Sequence, residues 1–91
     1  MSLIDQDLVQ IDAILSAALH DAGIGPVITE LRHRMPGLVC MGCDASDVLE
    51  EPFRSYASID LHLIDTRSHC AEMTSDPRRA SGVLLARKVT A

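Results

Sequence analysis

The sequence predicts an α+β fold, a two-layer sandwich in which two N-terminal helices pack on a four-stranded, mainly antiparallel sheet. Two patterns support this prediction. In the first third of the chain, apolar residues recur every three or four positions, which is the spacing of one helix face. From Ser58 to Leu63, polar and apolar residues alternate, which is typical of a strand with one buried side. This clear period of two in the second half argues against a helical bundle.

The two predicted helices have recognisable ends. Asp5 or Asp7 can cap the first helix, and Gly23 ends it. Pro26 suits the first position of the second helix, because its missing N–H needs no partner there. Pro36 and the glycine after it stop this helix. The apolar stripe of the first helix consists of Ile4, Leu8, Ile11, Leu15, Ala18, Leu19 and Ala22.

Three shorter elements are predicted in the sheet part. Leu38–Met41 is an apolar run after a chain breaker and indicates a strand that ends at Gly42. Residues 46–51 can form about one and a half helical turns. The last strand is predicted over Val83–Val89, and Phe53 lies in an irregular lead into the central strands.

A β-hairpin is predicted between residues 58 and 74. Ile59, Leu61 and Leu63 would face the core, because successive residues of a strand point to opposite sides. The second strand is predicted to run from His69 to Thr74.

The register of this hairpin follows from the predicted turn. A four-residue turn at 65–68 would place Ile64 opposite His69 and Leu63 opposite Cys70.

Composition bounds the domain count and the function class. We expect one domain over residues 1–91, with a helical hairpin at 1–36 and a sheet with short helical connections at 38–91, because single domains run to about 200 residues. The net charge of −5 argues against nucleic acid, since phosphate binding needs clustered Lys and Arg. No apolar run approaches the roughly 18 residues of a membrane span, and no signal peptide opens the chain, so we expect a cytoplasmic protein. We also expect no cofactor. The odd number of cysteines, three, does not suit a disulfide framework.

The cysteines and one histidine offer an alternative reading as a metal or redox site. Cys40 and Cys43 form a C-x-x-C motif, and His69 with Cys70 would complete a four-ligand set suited to zinc or an iron–sulfur cluster. The predicted strand argues against it, because His69 and Cys70 would then point to opposite faces. In thiol-redox proteins, a helix N-terminus lowers the pKa of the first cysteine of this motif, whereas Cys40 lies in a predicted strand.

Two histidines could act as a general base beside a carboxylate. His62 and His69 are predicted near Asp60, Asp65 and Glu72. A histidine in this position is more often solvent-facing or hydrogen-bonded locally, and no sequence context here specifies a nucleophile. Such an enzyme would require a pocket beside those rings, with the rings exposed within it.

Three segments of the second half form a distinctive set, namely Ile59–Cys70, Met73–Asp76 and Ala80–Ala86. Together they resemble a small uncharacterised bacterial family encoded in nitrogen-fixation gene neighbourhoods. The hallmark of that family is a strand ending in Asp, then x-R-x-H-C, T-x-D and A-[ST]-G before a last apolar strand. The corresponding positions are Asp65, Arg67, His69, Cys70, Thr74, Asp76, Ala80, Ser81 and Gly82. The resemblance implies the cytoplasm of a nitrogen-fixing bacterium as the setting and implies no reaction.

We therefore expect a non-enzymatic accessory protein of nitrogen fixation that works through contacts with a protein partner and can form a homodimer. Asp65, Arg67 and His69 are the candidate partner-binding residues, since they lie at or beside the predicted turn. The first alternative function is metal, iron–sulfur or thiol chemistry at the cysteine set. The second alternative is a small enzyme with His62 or His69 as the base.

Overall fold

The computed structural model describes residues 3–17, 24–56, 58–66 and 72–88. Two helices come first, α1 (Asp5–Ser16) and α2 (Gly25–Arg34). The strands are β1 (Val39–Asp44), β2 (Arg54–Ser55), β3 (Ile59–Asp65), β4 (Glu72–Thr74) and β5 (Gly82–Arg87), and a single 3-10 turn (Ala45–Asp47) follows β1.

The strands of the described residues form one mixed sheet. β5 lies between β1 and β3, parallel to β1 and antiparallel to β3. The other side of β3 is shared, because β2 pairs with its first half and β4 with its second half, both antiparallel. The α+β prediction is confirmed, with two differences: the described sheet has five strands, and β1 pairs in parallel. The additional strand, β2, is two residues long, too short to leave a periodic signal in the sequence.

Alternate residues of these strands divide the sheet into two faces. The helix face carries Ile59, Leu61 and Leu63, which the alternation predicted to face the core, and it packs with α1 and α2 into one apolar cluster. The opposite side, which we call the open face, carries the intervening residues. They include Val39, Met41 and Cys43 of β1, Asp60, His62 and Ile64 of β3, Met73 of β4, and Gly82, Leu84 and Ala86 of β5. Of these, His62, Ile64 and Ala86 are buried, whereas Val39, Met41 and Met73 are exposed.

Local contacts hold the helices on the sheet. The backbone N–H of Ile4 donates to the carboxylate of Asp7, so Asp7 caps α1 from inside its first turn. Tyr56, directly after β2, donates its phenol O–H to Asp12 at 2.7 Å and so connects the sheet with α1. α2 packs closely on β1 at Gly42, where a Cβ atom would stand 2.5 Å from the tip of Ile24.

The predicted hairpin register is wrong. Leu63 pairs with Thr74, and Ile64 pairs with Met73, so β4 begins at Glu72. The connection between β3 and β4 is therefore longer than the predicted four-residue turn, and His69 and Cys70 lie outside the described residues.

Two other predicted boundaries differ from the structure. β1 does not stop at Gly42 but continues to Asp44, because β5 pairs with it along its whole length. The helix predicted over residues 46–51 is reduced to the 3-10 turn, after which residues 48–53 run irregularly to β2.

Candidate functional site

β1 lies at an edge of the sheet and keeps one side of its backbone free of strand partners among the described residues. The N–H of Val39 donates to the carbonyl of Ser81, so Val39, Met41 and Cys43 direct their backbone groups towards β5. The backbone groups of Cys40 and Gly42 therefore point outwards. Arg32 donates from its guanidinium to the Cys40 carbonyl at 3.3 Å, which covers one position of this edge.

The residues of β1 do not protect this edge. Natural edge strands usually carry lysine, proline or a bulge that prevents pairing with another chain. Residues 39–43 are Val-Cys-Met-Gly-Cys and contain none of the charged residues or prolines that would block it. Val39 and Met41 are 41% and 46% exposed on the open face beside it. The β1 edge can thus accept a further strand once Arg32 leaves the Cys40 carbonyl.

Opposite charges flank the two ends of the β1 edge. Arg32, His33 and Arg34 form the last turn of α2, next to the start of β1. At the other end, a shallow groove is lined by Asp44, Asp47, Gly42 and Ile24, among others. Arg87 neutralises part of this charge, since it donates to Asp44 at 2.9 Å.

A cleft opens at the edge of the sheet remote from β1, in the gap between β2 and β4. It has a volume of about 280 Å³, and the described residues that line it include Glu50, Glu51, Phe53, His62, Met73 and Thr74. The cleft exists because two short strands share the same side of β3 without meeting.

His62 lies inside this cleft and is only 4% exposed. The prediction of a solvent-facing or locally hydrogen-bonded histidine is therefore wrong. β1 and β2 lie at opposite edges of the sheet, so the chain that joins them must cross one face of it. Residues 50–53 of this connection line the cleft beside His62. Among the described residues the imidazole makes no hydrogen bond. Every fully buried side-chain nitrogen among the described residues has a hydrogen-bond partner. Because the nitrogens of His62 have none among those residues, they are not fully buried and remain accessible from the cleft.

The structure separates Cys40 from Cys43. Cys40 is buried on the helix face, whereas Cys43 lies three residues further along β1 on the open face. Burial raises the pKa of the Cys40 thiol, and Arg32 opposes this only in part. Burial together with Asp47 and Asp44 raises the pKa of the Cys43 thiol. Both thiols are therefore protonated at neutral pH, and one ion could not contact both without a change in β1.

Asp65, one of the predicted partner-binding residues, ends β3 opposite Glu72 of β4. Arg67 and His69 lie outside the described residues, as does Cys70. The described residues contain no group of three or more His, Cys, Asp or Glu side chains arranged to hold a metal ion.

The described hallmark residues after β4 build a turn and the start of β5. Asp76 accepts the N–H of Arg78 at 3.0 Å, and Thr74 accepts the N–H of Asp76 at 3.1 Å. The hydroxyl of Ser81 accepts the N–H of Thr66 at 2.8 Å. Gly82 lies so close to β1 that a Cβ atom there would stand 2.5 Å from the Val39 carbonyl oxygen. These residues have clear structural roles in the turn that joins β4 to β5 and at the start of β5.

Sequence reasoning missed the residues that make the β1 edge and the cleft. Met41 was treated only as part of an apolar run, and Glu50 with Glu51 only as part of a short helix. The signal available for the edge was the lack of charge in residues 39–43. The cleft leaves no such signal, because segments distant in sequence form it.

Comparison with known proteins places the chain in a family. Residues 9–88 match the model of a family of unknown function, DUF6129, and the chain belongs to that family. No curated protein and no solved structure gives a significant match. In the described residues, none of the helices has the length and apolar character needed to cross a membrane.

Proposed function

We propose that this member of the DUF6129 family is a non-enzymatic protein-interaction module that works as a homodimer, formed by antiparallel pairing of the β1 edges of two copies. The observation that carries the proposal is the β1 edge, whose residues 39–43 carry no charge or proline, flanked by exposed Val39 and Met41. Pairing would displace Arg32 from the Cys40 carbonyl, would satisfy the outward backbone groups of both copies and would continue one sheet through the dimer.

The side chains of β1 favour a second copy of the same strand as the partner. A two-fold axis at Met41 would place the two Met41 side chains side by side, and Val39 of each copy beside Cys43 of the other. These contacts are apolar on both sides, so pairing removes exposed apolar surface and buries no charge.

The charges around the edge fit the same arrangement. Antiparallel pairing brings the basic end of α2 in one copy towards the acidic groove of the other, so Arg32 would approach Asp47. Parallel pairing would instead bring like charges together, which is unfavourable. The resulting complementarity favours one orientation of the dimer.

The setting that we propose is nitrogen-fixation metabolism in a bacterial cytoplasm, with the dimer as an accessory to another protein. The support for this setting is the resemblance in residues 59–86 together with membership of a family that has no assigned activity. Affinity capture from a nitrogen-fixing culture should retain a protein that an ammonium-grown culture of the same strain does not yield. Identical captures from the two cultures would contradict the setting but not the dimer.

Sedimentation equilibrium tests the dimer. We expect the wild-type protein to approach dimer mass at about 100 µM, a concentration at which a Kd of a few micromolar leaves mostly dimer. Met41→Lys places a charge at the proposed two-fold axis and should leave a folded monomer. Met73→Lys is the matched control, because Met73 is similarly exposed on the open face but belongs to β4. A wild-type monomer at this concentration, or equal dimerisation of the Met41→Lys variant, would overturn the proposal.

A further inference from the structure

The cleft between β2 and β4 is independent of the β1 edge, and its residues point to a ligand. We infer that it binds a small organic cation, a primary amine with an apolar body, with the amine between the carboxylates of Glu50 and Glu51 and the imidazole of His62. This binding site lies at the edge of the sheet remote from β1, with β5 and β3 between the two sites, so it does not require the proposed dimer.

His62 is the observation that points to a ligand. A buried polar group normally has a hydrogen-bond partner, because leaving it without one costs free energy. His62 is 4% exposed and makes no hydrogen bond among the described residues, yet it lines the cleft. A neutral imidazole offers one donor and one acceptor nitrogen, and a bound amine can donate to the acceptor.

The charges of the cleft select a cation. Among the described lining residues, Glu50 and Glu51 are the charged ones, and both are negative. Arg54, the next residue after Phe53, lies over the Phe53 ring, but the carboxylate of Asp12 at 3.5 Å offsets its charge. An anionic ligand would face repulsion from two carboxylates, whereas an ammonium group would be attracted.

The size and the walls of the cleft define the rest of the ligand. A volume of about 280 Å³ is close to the lower limit for small-molecule sites, so the ligand must be small. Pro52, Phe53, Leu63 and Met73 supply apolar surface. A primary amine on a small aromatic or branched aliphatic body matches both properties.

Three compounds of nearly equal size test this selectivity. 2-Phenylethylamine carries the ammonium group, 2-phenylethanol replaces it with a neutral hydroxyl, and phenylacetate replaces it with a carboxylate. We expect the amine to shift the imidazole NMR signals of His62 in a saturable titration, the alcohol to bind about fivefold or more weakly, and the acid not to bind. His33 is an internal reference, because it is exposed on α2 and should not shift.

A charge-neutral variant tests the role of the carboxylates. Glu50 and Glu51 are exposed, so the double variant E50Q/E51Q should fold, and the amine should bind it about fivefold or more weakly. The control is Glu72→Gln, which removes an exposed carboxylate of β4 that does not line the cleft and should leave affinity unchanged.

Three results would overturn the inference: no saturable shift of His62, equal binding of amine and acid, or unchanged amine affinity in E50Q/E51Q. The monomeric Met41→Lys variant should still bind the amine with wild-type affinity. Failure of the dimer and failure of the cleft are therefore separate outcomes.

Discussion

The helix face and the open face of the sheet are built from alternate residues of the same strands, but they are used differently. On β5, Leu85 is buried beneath the helices, whereas its neighbour Leu84 on the open face is only partly covered. On β1, Cys40 is buried, and Met41 is nearly half exposed. The helix face therefore stabilises the fold, and the open face leaves apolar side chains exposed beside the β1 edge.

The largest difference is expected between Leu85→Ala and Leu84→Ala. Leu85 is fully buried in the core cluster, so its truncation leaves a cavity and should lower the free energy of unfolding by about 3 kcal/mol. Leu84 is partly exposed, and its truncation should cost about 1 kcal/mol. Urea denaturation at one protein concentration measures both values. Equal losses would show that Leu84 is packed as tightly as Leu85.

The two glycines that contact neighbouring elements form the next pair. Gly82→Ala places a methyl group against the backbone of β1 at Val39, and the strand cannot move without losing its pairing with β5. Gly42→Ala meets only the ends of the Ile24 and Ile28 side chains, which can rotate. We expect losses of about 3 kcal/mol for Gly82→Ala and about 1 kcal/mol for Gly42→Ala.

Thermal or urea unfolding of the two glycine variants checks their order. A Gly42→Ala variant less stable than Gly82→Ala would mean that the contact between α2 and β1 is more rigid than the pairing of β1 with β5.

Tyr56 gives a direct probe of the contact between α1 and the sheet. Burial, together with its hydrogen bond to Asp12, raises the pKa of Tyr56 from 10.0 to about 12. Below pH 10 the phenol is protonated in folded and unfolded chains, so the full stability is present. Between pH 10 and 12 only the unfolded chain ionises, so stability falls as pH rises through this window.

The chain has a single tyrosine and no tryptophan, so phenolate absorbance reports Tyr56 alone. We expect a midpoint near 12 in the folded protein and near 10 in urea, with a lower midpoint in Asp12→Asn. A folded midpoint near 10 would contradict the hydrogen bond to Asp12.

The smallest effect is expected at the two described thiols. Cys43 lies on the open face and should react with iodoacetamide at pH 8 faster than buried Cys40, but more slowly than a free thiol because burial, Asp47 and Asp44 raise its pKa. Asp47→Asn should accelerate the reaction of Cys43 about twofold. Peptide mass spectrometry resolves each site. Faster labelling of Cys40 would contradict the assignment of the two faces.

The part of the fold that could be predicted from the sequence is the part that local periodicity encodes. The residues of β3 that face the helices were identified correctly, although the hairpin register was wrong. The register differs by four residues, from Cys70 to Thr74 opposite Leu63, and an even shift leaves every side chain on the same face. Alternation specifies the faces of a strand, but not the length of the loop that follows it.

The candidate sites were not predictable in the same way. His62 is polar and alternates with leucines, which indicates exposure, but the irregular segment before β2 buries it. The edge position of β1 depends on the strand order, which places β5 beside it from the far end of the chain. Both features come from long-range pairing, which one sequence alone does not specify.

Disulfide cross-linking at the proposed two-fold axis tests the β1 dimer most directly. Directly opposed residues at such a position have Cα atoms about 4.5 Å apart, which suits a disulfide. In a Cys43→Ser, Cys70→Ser background, Met41→Cys should be converted by oxidised glutathione to a covalent dimer. Leu49→Cys, at a side chain that is 95% exposed, should remain largely monomeric. Cross-linking of Met41→Cys no faster than that of Leu49→Cys would contradict association through the β1 edge.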